Sequence, residues 1–174
     1  LNYRRIQFTT DTMPSDITGF VMYNNSTNEF EYKEGAANCQ LLLADEINRT
    51  SPKTQAALLE VMEEHSVTVD GETHVLQEPF ICIATQNPVD TAGTQNLPES
   101  QRDRFMACFS IGYPGKEDQI RILKAQRYNN PLDDIKAIMN DTNIIEIQQF
   151  IRSIHIDDSI LGYIIELCEA TRNN

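Results

Sequence analysis

What this chain of 174 residues lacks narrows the reading first. No apolar run approaches the roughly 18 residues that span a bilayer, and the first residues carry no signal-peptide pattern, so the expectation is a cytoplasmic chain without membrane insertion. Basic residues are scarce. Fourteen Lys and Arg stand against 26 Asp and Glu, a formal charge of −12, which argues against a general nucleic-acid or anionic-membrane surface. Cys39, Cys82, Cys108 and Cys168 are widely separated, with no C-x-x-C pair and no histidine at ligand spacing. Neither a zinc site nor a disulfide framework is indicated. Cys82 and Cys108 lie inside apolar runs and read as small core residues. Internal repeats and low-complexity tracts are missing, as is any G-x-x-x-x-G-K-[ST] phosphate loop. Gly112-Tyr113-Pro114-Gly115-Lys116 has similar ingredients in the wrong order, without the hydroxyl residue, and reads as a hinge.

What is present is an ordinary globular composition, 40% hydrophobic and 23% charged, enough for one domain or one domain and part of another. Its focus is Leu41-Leu42-Leu43-Ala44, an apolar run that stops at Asp45 and Glu46. Such a run suits a strand buried on both faces of a parallel sheet, which puts the acids at its carboxyl end, where open α/β sheets bind ligands. Consecutive strand residues point to opposite faces, so the two acids cannot share one task. In a nucleotide hydrolase the first would hold Mg²⁺, usually through water, and the second would polarise the attacking water. A strand running into an acidic turn is the plain alternative.

Along the chain, Arg4 to Thr9 alternates as a short strand, and Met13-Pro14-Ser15-Asp16 offers a turn and a possible helix cap. Residues 19–32 read as a hairpin around the polar cluster 24–29. Ser51 caps a helix that starts at Pro52 and runs to about Glu64, burying Ala57, Leu58, Val61 and Met62. Asp70-Gly71 joins strands 67–69 and 72–75 through a type I′ turn, with His74 expected on the solvent side. A second buried strand, 80–85, ends at Gln86-Asn87. A short helix at 97–105 carries two arginines, and a third buried strand is expected at 107–111. From Lys116 the texture is helical, with apolar positions at Ile120, Ile122, Leu123 and Tyr128, then Ile144 to Ile151, then Ile160 to Cys168 with Asp157 near the cap. A parallel sheet followed by a helical piece predicts two domains, 1–112 and 113–174.

The ordered blocks Leu-Leu-Leu-Ala-Asp-Glu-Ile-Asn-Arg (41–49), Pro-Lys-Thr-Gln-Ala-Ala-Leu-Leu-Glu (52–60), Val-Thr-Val-Asp-Gly-Glu (67–72), Ala-Thr-Gln-Asn-Pro (84–88), Leu-Pro-Glu (97–99) and Asp-Arg-Phe (103–105) closely resemble the MoxR branch of the AAA+ ATPases. The resemblance covers nearly the whole chain. It implies an α/β core with a parallel sheet of the P-loop NTPase type, ordered 5-1-4-3-2, β-hairpin inserts and a helical lid. It also implies ATP and Mg²⁺ as cofactors, a homo-oligomeric ring such as a hexamer, and client proteins, a von Willebrand factor A domain protein among the candidates. Asp45 and Glu46 would be the Walker B acids, Asn87 the sensor 1 residue, and Arg104 the arginine finger reaching a neighbouring subunit's nucleotide. The hairpin at 19–32 would be the helix 2 insert and the Asp70-Gly71 hairpin the pre-sensor hairpin, both on the ring's substrate side.

The sequence also departs from the family. The phosphate loop and the sensor 2 arginine are not among these residues, so the segment is expected to be a fragment, inactive by itself. Arg102 stands where the family more often has an apolar residue, which leaves open which arginine is the finger. Two functions remain: a segment of an ATP-hydrolysing chaperone that remodels or matures partner proteins or inserts metals, and a non-hydrolysing binding module on the same scaffold.

Overall fold

In the computed structural model, which describes residues 1–87, 96–126 and 131–172, the apolar run at 41–45 becomes the middle strand of a parallel sheet. The outer strands are β1 (Tyr3–Gln7) and β7 (Ile81–Ala84), on either side of β4 (Leu41–Asp45). The register sets Gln7 beside Asp45 and Ala44 beside Ala84, so the polar ends of neighbouring strands fall in one row. Leu42 and Ala44 are fully buried while Leu41, Leu43 and Asp45 are half-buried. One face of β4 is therefore sealed by core and the other only partly covered, less than the two-sided burial that the run suggests.

Two crossovers connect the parallel strands, each containing a helix and a hairpin. The first carries α1 (Pro14–Thr18) and the antiparallel pair β2 (Gly19–Asn24) and β3 (Glu29–Glu34). The Met13 backbone N–H donates to Asp16 Oδ2 at 2.8 Å, tying the helix entry. The hairpin root needs glycine: at Gly19, φ is +88°, and a Cβ there would overlap the carbonyl oxygen of Lys33. The second crossover carries α2 (Pro52–Glu64), β5 (Ser66–Val69) and β6 (Glu72–Val75). Ser51 Oγ accepts from the Thr54 N–H at 3.3 Å, as the cap predicts. Leu58, Leu59 and Val61 pack into the core with Phe8, Ile17 and Leu42, each such side chain contributing roughly 1.5–3 kcal/mol on burial. Asp70 and Gly71 both have positive φ, 50° and 85°, the requirement of the predicted type I′ turn.

His74 does not face solvent. Its ring is half-buried and stacks on Tyr32 of β3 at 3.9 Å with an 8° interplanar angle, because the β5–β6 hairpin lies against the β2–β3 hairpin. The predicted strand at 107–111 is also absent from the sheet. Phe109 and Ile111 are 83% and 91% exposed, and Cys108 is exposed rather than buried. An apolar run becomes a strand only where a neighbour takes its backbone groups, and among the described residues none lies beside it. Among the described residues no strand pairs with the outer edge of β7, and Ile83 is 52% exposed.

The chain divides by internal packing into two compact units, Leu1–Ile138 and Met139–Asn174. The first also contains α3 (Glu99–Arg102), anchored by buried Leu97 and partly buried Phe105, and α4 (Lys116–Gln126). Tyr128 lies outside the described residues. The second unit consists of α5 (Asp141–Arg152) and α6 (Asp158–Arg172). Asn140 Oδ1 accepts from the Asn143 N–H at 2.9 Å, and Asp157 Oδ1 accepts from the N–H and hydroxyl of Ser159 at 2.9 and 2.6 Å. Both are side-chain caps of the kind that satisfy a helix's first N–H groups. No helix among the described residues is long and apolar enough to cross a membrane.

Candidate functional site

Asp45 ends β4, and its neighbours on both sides hold it. Its carbonyl accepts from the Phe8 N–H at 2.8 Å, and Arg5 of β1 donates through Nε to Oδ2 at 2.7 Å. From the β7 side, the Thr85 hydroxyl donates to Oδ1 at 3.2 Å and accepts from the Glu46 N–H at 3.0 Å. One hydroxyl thus joins both acids to the end of β7.

Glu46 leaves the strand instead of continuing it. Its backbone is left-handed, φ 56° and ψ 46°, and it opens a single 3-10 turn over Ile47–Arg49. A non-glycine residue in that region costs about 1–2 kcal/mol, and such outliers cluster where function constrains the chain. The alternation argument therefore does not apply to this pair: a turn, not the pleat, separates the acids. The carboxylate comes to Gln7 Nε2 at 3.1 Å and Arg49 Nη1 at 2.8 Å, both on Oε2. Arg49 first, then Gln7, hold the Glu46 carboxyl below the ordinary carboxylate range, so it favours the ionised form.

Asn87 follows the end of β7. Asn48, fully buried in the 3-10 turn, donates through Nδ2 to the Asn87 carbonyl at 2.8 Å and accepts through Oδ1 from the Asn87 N–H at 3.2 Å. The turn is held from beneath by Gln55 of α2, whose Nε2 donates to the Ile47 carbonyl at 3.0 Å. Asp45, Glu46 and Asn87 are thus brought together at the carboxyl end of the sheet, where strand ends present ligand sites.

Arg104 is not part of this group. Its Nη1 donates to Glu63 Oε2 at 2.8 Å, and Glu63 stands in the last turn of α2, about 16 Å along the helix from Pro52 at roughly 1.5 Å per residue. Arg102, in the last turn of α3, has no side-chain partner among the described residues.

Five contributors escaped the sequence reading: Arg5, Gln7, Asn48, Arg49 and Thr85. Arg5 and Gln7 lie two apart on β1 and so share a face, a usable signal once β1 is known to lie beside β4. Among the described residues no three His, Cys, Asp or Glu side chains form a metal cluster. A pair of adjacent carboxylates at a strand end suits a cation that keeps most of its water and takes further ligands from substrate phosphates, the habit of Mg²⁺.

Residues 1–107 match the ATPase family associated with various cellular activities (AAA). The chain is 47% identical to the uncharacterised protein YeaC of Bacillus subtilis, over 99% of this chain and 54% of YeaC. It is 37% identical to the chaperone MoxR1 of Mycobacterium tuberculosis, over 98% of this chain and 45% of that protein. A crystal structure of a candidate ATPase from Cytophaga hutchinsonii superposes with a TM-score of 0.85 at 41% identity, covering 98% of this chain and 52% of that one. The chain therefore spans about half the length of the relatives it matches.

Proposed function

The chain belongs to the MoxR branch of the AAA ATPases, and on that premise we propose that it supplies the water-activating part of an ATP-hydrolysing, cytoplasmic chaperone that works as a hexameric ring. The observation that supports this most is the convergence of Asp45, Glu46 and Asn87 at one end of the sheet, joined by Thr85 and Asn48. On this reading residues 1–112 belong to the ATPase core and 113–174 to the lid. α4 goes with the lid because it exposes Ile122 and Leu123 instead of burying them in the core.

Phosphoryl transfer asks for positioned charge more than for covalent chemistry. Glu46, ionised and with Oε2 already engaged, offers Oε1 to accept the proton of the attacking water. Asn87 would orient that water and contact a bound nucleotide. Asp45 is the residue that would hold Mg²⁺ through water, and when bound the ion neutralises charge on the phosphate oxygens. Arg104 supplies a cation to the nucleotide of the neighbouring subunit. Its exposed pair with Glu63 is worth about 0–1 kcal/mol, little enough to exchange for a phosphate. The ring's work is the remodelling or maturation of client proteins, or metal insertion into them, with a von Willebrand factor A domain protein as a first candidate.

The second reading is a binding module that holds nucleotide without turnover. Both acids end on arginines, Asp45 on Arg5 and Glu46 on Arg49, which favours it. Phosphate release by the full-length polypeptide, compared with its Asp45→Asn variant, separates the two. Turnover that collapses in the variant supports hydrolysis, and ATP binding without turnover selects the module.

A further inference from the structure

The ladder between β4 and β7 ends at the Ala44–Ala84 pair. Beyond it, the Ile47 N–H donates to the Thr85 carbonyl at 3.0 Å, and then the pairing passes to a side chain. Asn48 uses its donor and its acceptor on the same residue, Asn87, taking both the carbonyl and the N–H of its backbone. Asn48 is fully buried and two positions from Glu46 in the same turn, so a shift of one is a shift of the other. Only a primary amide of this length meets both demands: aspartate lacks the donor and glutamine is one methylene too long.

We propose that Asn48 is a positioning residue that fixes Asn87 to the Glu46 turn, so that the residue orienting the water and the residue polarising it keep one relative geometry. The proposal rests on the hydrolytic reading of the site. Asn48 is fully buried and acts through Asn87.

The test uses the full-length protein and its Asn48→Asp, Asn87→Ala and double variants, with kcat, KM and the exchange of the Asn87 amide proton measured by NMR. Asn48→Asp keeps the side-chain volume and the acceptor but sets a carboxylate oxygen against the Asn87 carbonyl. It should lower kcat by about 10- to 100-fold, the size of effect expected from a misplaced catalytic group, with KM within about threefold. The Asn87 amide should lose protection while other core amides keep theirs. The double variant should be no slower than Asn87→Ala alone, because both changes remove one function. Should Asn48→Asp fail to fold, Asn48→Ser replaces it, smaller and with one hydroxyl for the two contacts. A folded variant with wild-type kcat, or losses that multiply in the double variant, overturns the positioning role. No hydrolysis by the unmutated protein overturns the enzymatic reading instead, with the amide exchange still reporting on the clamp.

Discussion

Arg104 and Glu63 are joined at 2.8 Å at the opposite end of α2 from Asp45. Its guanidinium pairs with α2 and not with the strand-end acids of its own chain, and on the proposed reading it would serve the nucleotide of a neighbouring subunit. If it does, Arg104→Ala protein mixed with Glu46→Gln protein should recover part of the lost turnover, since one kind of mixed interface keeps both groups. Steady-state ATPase assays of the mixtures check this. Arg102→Ala should do less damage than Arg104→Ala, and the reverse order would transfer the role to Arg102.

The ion pair between Arg49 and Glu46 carries a pH signature. The folded-state pKa of Glu46 is held below its ordinary 4.5 by Arg49 first and Gln7 second. A depressed carboxylate contributes stability that is fully present above its unfolded pKa and is lost as pH falls through the folded value. The stability advantage of wild type over Arg49→Ala should therefore hold at neutral pH and fade below pH 4.5. Urea unfolding of both proteins from neutrality down to about pH 3 measures it. A difference constant over that range would show that Arg49 stabilises by packing instead.

Cys82 sits in β7, where burial pushes its thiol up to about 12, and burial also raises the Cys39 thiol. A thiol so far above ambient pH is almost wholly protonated and unreactive. Native protein treated with iodoacetamide at about pH 8, below the unperturbed thiol range, should leave Cys39 and Cys82 unmodified by mass spectrometry. Both should react once the protein is unfolded. Rapid native labelling of Cys82 would contradict the raised, protonated thiol.

Much of this was legible because it is local. Ser51-Pro52 announces its helix, Asp70-Gly71 its turn, and the stop from Ala44 to Asp45 its strand end, each through chemistry confined to a few neighbouring residues. The grip of Arg5 on Asp45 and of Asn48 on Asn87 joins residues some forty positions apart, and depends on which strands lie side by side. The left-handed Glu46 was not legible either, since Glu has no preference for that region and the turn imposes it. Residues 107–111 misled for the opposite reason: an apolar run records a tendency to pair, and pairing needs a partner.

The central claim is that Glu46 activates the attacking water, and the Glu46→Gln variant of the full-length protein tests it most directly. The amide keeps the shape and the contacts to Gln7 and Arg49 but cannot take a proton, so nucleotide binding by calorimetry should persist while turnover falls by about 10² or more. Turnover equal to wild type, with binding intact, would contradict the account.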